Sequence, residues 1–74
     1  MIAEGLMFSV YKIKVQYGRQ EMRSMFLVAA NSITTAKKLA RAAAPVPCHD
    51  PDVTGFVIHN LCYRTDEPVV ICKL

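Results

Sequence analysis

Phe8-Ser9-Val10-Tyr11-Lys12-Ile13-Lys14-Val15-Gln16-Tyr17 decides the fold of this chain. Tyr11, Ile13, Val15 and Tyr17 alternate with Lys12, Lys14 and Gln16, the period of two expected of a strand with one face buried and one wet. Downstream, Gly18-Arg19-Gln20 supplies a turn, and Arg23 to Ala30, rich in Met25, Phe26, Leu27 and Val28, returns as an antiparallel partner.

Beyond this hairpin the period changes. Asn31-Ser32 offers an N-cap oxygen, and Ile33, Ala36, Leu39, Ala40 and Ala43 recur at three- and four-residue intervals, which predicts a helix from Ile33 to Ala44. Pro45 and Pro47 cannot continue it, so residues 45–52 read as a loop that Pro51 keeps irregular. Phe56, Val57, Ile58, Leu61 and Tyr63 predict a third strand, Thr65-Asp66-Glu67 a turn, and Val69 to Leu74 a fourth strand. The fold class is therefore α+β, in the order β-β-α-β-β: a four-stranded, mainly antiparallel sheet with one helix packed on one face. Residues 8–74 form a single domain, and residues 1–7 are expected to be a flexible N-terminal segment.

The 74 residues hold one core, and no stretch nears the roughly 18 to 20 apolar residues of a membrane-spanning helix. The opening residues lack the basic start and long apolar run of a secretory signal. Three cysteines, Cys48, Cys62 and Cys72, are an odd number for a disulfide framework, which favours a reducing cytoplasm.

Net charge is +3, unevenly spread. Residues 8–46 hold seven bases and one acid, whereas Arg64 and Lys73 face Asp50, Asp52, Asp66 and Glu67 in the remainder. Two basic clusters follow. Lys37, Lys38 and Arg41 project from the helix away from its apolar stripe, and Lys12 and Lys14 lie on the outer side of the first strand, joined by Arg23 if it points the same way. These six residues are the candidate partner-binding set.

Other constellations point elsewhere or nowhere. Sheet-type RNA readers stack bases on outward aromatics, but Tyr11 and Tyr17 share the apolar side, leaving Phe8 in step with Lys12 and Lys14. Cys48, His49, His59, Cys62 and Cys72 are zinc-type ligands without knuckle spacing; His59 and Cys62, three apart on a strand, fall on opposite faces unless a bulge intervenes. Cys62, in phase with Phe56 and Ile58, and Cys72 read as small buried hydrophobes, and Cys48 as a loop residue. No nucleophile, base and orienting carboxylate share a recognisable spacing, so neither catalysis, metal nor cofactor is expected.

Thr35-Ala36-Lys37-Lys38-Leu39-Ala40-Arg41, Cys48-His49 and Gly55-Phe56-Val57-Ile58, led by the Tyr11 to Gln16 strand, resemble a small type I-F anti-CRISPR family over residues 8–63. The resemblance implies a phage-encoded inhibitor in the cytoplasm of a bacterial host. Such a protein docks on the backbone subunits of an RNA-guided surveillance complex and competes with target DNA, with Lys37 and Lys38 matching the basic helix position. The chain departs from the family in a longer loop around Pro45-Val46-Pro47 and Asp50-Pro51-Asp52 and in the apolar Val69-Val70-Ile71. The alternative is a small nucleic-acid-binding module whose basic patches neutralise phosphates. A third reading takes Val69 to Leu74 as an edge that pairs with a second copy.

Overall fold

A computed structural model describes residues 5–16, 23–44 and 52–74. Tyr17, the turn 18–20 and the loop 45–51, with Cys48, His49 and Asp50, lie outside the described residues.

The chain forms β1 (Leu6–Gln16), β2 (Arg23–Ala30), α1 (Ile33–Ala43), β3 (Asp52–Thr65) and β4 (Val69–Lys73), in the β-β-α-β-β order that the periodicities predict. All pairings are antiparallel, and the sheet order is β3-β1-β2-β4. β1 starts at Leu6, two residues before the alternation alone indicates, because Leu6 and Met7 pair with Thr65 and Arg64.

β2 and β3 flank β1 and so run parallel to each other; parallel strands need a crossover, which α1 provides. The helix starts where Ser32, in an extended conformation, accepts a hydrogen bond from the Thr35 amide at 3.2 Å. Arg41 in its last turn complements the negative end of the helix dipole.

Register sets the faces. Ser9, Tyr11, Ile13 and Val15 share one face with Ala30, Val28, Phe26 and Ser24, and α1 lies against this face. The core is Ile13, Val15, Phe26, Val28 and Ala30 with Ala36 and Ala40 of the helix, flanked by half-buried Tyr11, Ile33, Leu39 and Val70. The predicted apolar stripe is thus narrower than its spacing indicates: Ala43 is exposed in the last turn, and Leu39 stands at the margin.

Helix and sheet differ in length. Eleven residues of α1 rise about 16 Å, whereas eleven residues of β1 extend about 37 Å, so the helix covers less than half of the strand. The β1–β3 ladder also runs beyond β2, whose pairing starts at Ser9. Leu6, Met7 and Tyr63 on this projecting ribbon are exposed.

Two irregularities adjust the sheet. Ser9 pairs with Cys62 but Val10 with Ile58, so His59, Asn60 and Leu61 form a bulge on β3, with Asn60 at φ 63°, a left-handed conformation that asparagine tolerates. On β4, Ile71 is the extra residue between Cys72, opposite Leu27, and Val70, opposite Val28. From Thr65 to Val69 the chain passes from one edge strand to the other. Thr65 stands level with Leu6 and Val69 level with Val10, so in a flat sheet the two would lie about 20 Å apart, whereas four residue steps span at most about 14 Å; the sheet curls to let them join.

Because Ala36 and Ala40 are fully buried against the sheet, Ala36→Leu should lower unfolding free energy by about 1 to 3 kcal/mol in urea denaturation. Half-buried Leu39→Ala should cost less than the roughly 2 to 5 kcal/mol of a fully buried leucine. A Cβ on Gly55 would lie 2.6 Å from the Lys12 carbonyl oxygen, whose strand cannot retreat, so Gly55→Ala should lower the melting temperature despite glycine's poor strand propensity.

Candidate functional site

The face of the sheet away from the helix carries Phe8, Val10, Lys12, Lys14 and Gln16 of β1, with Ala29, Leu27, Met25 and Arg23 opposite the last four on β2. Ile58, Phe56 and Thr54 of β3 stand beside Val10, Lys12 and Lys14. This face has two unlike ends. Where β3 hands over to β4, Phe8, Val10 and Ala29 are buried. At the other end Lys12, Lys14 and Arg23 gather, and Arg23 takes the same face as the lysines because it pairs with Gln16.

Between them lies a concavity of about 320 Å³ lined by Lys12, Lys14, Met25, Thr54, Gly55 and Phe56, at the small end of the roughly 300 to 1,000 Å³ of ligand pockets. Phe56 is 59% exposed and sits directly across from Lys12. Lys12 is half-buried between Leu27 and Phe56 on the neighbouring strands, and Lys14 between Met25 and Thr54, in keeping with the way a lysine stem covers apolar surface while its ammonium stays wet.

The helix bases form a separate surface. At about 100° per residue, Lys38 points directly away from the buried Ala36 and Ala40, Arg41 stands nearby, and Lys37 falls on the flank, which matches its half-burial against the exposure of the other two. The six candidate residues therefore divide into two groups on opposite sides of the molecule: Lys12, Lys14 and Arg23 on the open sheet face, and Lys38 and Arg41, with Lys37 beside them, on the helix. Asp66 and Glu67, both exposed, sit where β3 passes to β4, away from the Lys14 end of the sheet.

The aromatic in a stacking position is Phe56, not Phe8. Phe8 does share the face of Lys12 and Lys14, but it is 7% exposed and buried at the closed end. The continuous apolar run Gly55-Phe56-Val57-Ile58 hides which residue faces out, and only the pairing with β1 reveals it.

The cysteine expectation is corrected as well. Cys62 and Cys72 are free and exposed. The bulge adds three residues, an odd number, so Cys62 leaves the face of Phe56 and Ile58 and stands opposite Ser9 beyond the core cluster. Cys72 is placed opposite Leu27 on the edge strand. The bulge also separates His59 from the flat strand geometry, but among the described residues no three His, Cys, Asp or Glu side chains are grouped as metal ligands require. No helix among the described residues is long and apolar enough to cross a membrane.

In a Cys48→Ser chain, both remaining thiols should react with a thiol-specific chromogenic reagent in native buffer nearly as fast as after unfolding; protection of either would contradict its exposed position.

Neither the family models, nor the curated proteins, nor the solved structures contain a match to this chain.

Proposed function

We propose that this domain is a non-catalytic binding protein that takes a nucleic acid on the open face of its sheet. The observation that carries the reading is the basic, aromatic-bearing concavity, in which Lys12 and Lys14 stand on the strand beside an exposed Phe56. Cations on a sheet face neutralise phosphates, and an aromatic among them offers a surface to a base. The lopsided charge supports it, since the bases gather away from Asp66 and Glu67 and orient a long anion on the surface.

A second reading rests on the helix. Lys38 and Arg41 are exposed on the opposite side of the molecule, where they are free for a different partner. In the inhibitor reading suggested by the anti-CRISPR resemblance, this helix face docks on acidic spots of an RNA-guided surveillance complex in the cytoplasm of a bacterial host and obstructs target DNA.

Two double variants separate the readings. Lys12→Glu with Lys14→Glu should abolish nucleic-acid binding measured by fluorescence anisotropy, while Lys38→Glu with Arg41→Glu should leave it within a few-fold. On an immobilised surveillance complex, salt-tolerant binding lost only in the helix variant would instead establish the inhibitor. Absence of binding to DNA, RNA and complex by the unaltered chain at low salt would refute both.

A further inference from the structure

Resting on the nucleic-acid reading above, we infer that the open sheet face is built for a single strand, with Phe56 as the platform on which one unpaired base stacks and Lys12 and Lys14 as the phosphate contacts beside it.

Three observations favour a single strand over a duplex. The first is the exposure of Phe56: a phenylalanine 59% open to solvent, on the face of a sheet and in register with a lysine, offers a ring that a paired base inside a duplex cannot reach. Stacking requires a base whose face is available, and a single strand supplies one at every nucleotide.

The second is scale. Lys12 and Lys14 are two residues apart on one strand, about 6.8 Å, and Arg23 lies one row further on the neighbouring strand. Lys12 and Lys14 line the concavity and Arg23 stands beyond it, so the cations form one short row along the sheet, the arrangement that follows one backbone and not the two strands bordering a groove. The third is shape. The concavity is small and lies on a sheet of four strands, whereas reading the major groove of a duplex calls for an inserted helix or a projecting two-stranded ribbon. The projecting ribbon of this fold carries the apolar Leu6 and Met7 with Tyr63 at its surface, and its one arginine, Arg64, donates to the Gly5 carbonyl oxygen.

The neighbours of Phe56 complete the platform. Met25 borders the same concavity and gives the outer edge of a stacked base an apolar, polarizable contact, and the Thr54 hydroxyl lies beside Lys14 within reach of a base edge or phosphate. Such a site is tolerant of sequence, because every base has a stacking face. DNA and RNA single strands share this chemistry, so the experiment includes both.

The test uses the full chain with fluorescein-labelled oligonucleotides: single-stranded DNA, single-stranded RNA and the corresponding DNA duplex, titrated by anisotropy at several salt concentrations. Single strands should bind at least tenfold tighter than the duplex. Phe56→Ala should weaken single-strand binding by roughly 5- to 100-fold and leave duplex binding unchanged, and Phe56→Trp should restore it. Since Phe56 is exposed, these changes should not alter the melting temperature, which is checked alongside. Lys12→Gln with Lys14→Gln should reduce the slope of log K against log salt by roughly 1.4, corresponding to two lost phosphate contacts on a single strand. Equal affinity for duplex and single strand, or Phe56→Ala without effect, overturns the single-strand inference while leaving the nucleic-acid reading in place. No binding by the unaltered chain overturns both, and retention of an acidic peptide in place of any oligonucleotide assigns the face to an acidic protein.

Discussion

The close seat of α1 on the sheet is the contact on which the rest of the molecule depends. The helix contributes only Ala36 and Ala40 as fully buried residues, so its backbone approaches the sheet closely and the bulk of the core comes from Ile13, Val15, Phe26 and Val28. With side chains this small on the helix, β1 and β2 must supply large and β-branched residues on that face, and they do. One small core under a short helix leaves the long β1–β3 ladder to be held mainly by strand pairing. It also leaves the opposite sheet face without a layer over its basic end, and there the candidate site lies.

Local signals were strong in this sequence. The alternation of β1, the Ser32 cap and the three-four spacing of α1 each arise from chemistry within a few residues, and they place the starts of β1 and α1 to within two positions, whereas β3 starts at Asp52, four residues before its expected Phe56. The faces of β3 were not legible. Gly55-Phe56-Val57-Ile58 has no alternation, and the bulge at His59, Asn60 and Leu61 is a tertiary adjustment that no turn residue announces. For that reason the sequence period puts Cys62 in phase with Phe56 and Ile58, as a buried residue, and points to Phe8 as the outward aromatic. The helix bases were legible as a group, but the flanking position of Lys37 follows from where Ala36 and Ala40 seat, a matter of packing.

Electrostatics gives the two basic surfaces different characters. On the helix, Lys38 and Arg41 are exposed cations at high dielectric, screened within about 8 Å at physiological salt. On the sheet, Lys12 and Lys14 are half-buried, so less side-chain freedom remains to be lost when a partner arrives. The sheet surface is therefore the better preorganised of the two.

The β3 bulge has a consequence for how this chain can vary over generations. Its three residues act as a phase inverter: strand positions before Ile58 and after Leu61 obey opposite rules about which side they show. Insertion or loss of two residues there would preserve that inversion, whereas a change of one would swap inside for outside along the whole terminal arm from Cys62 to Thr65. Length variation at this point is thus quantised in pairs, even though all three bulge residues are exposed and individually free to change.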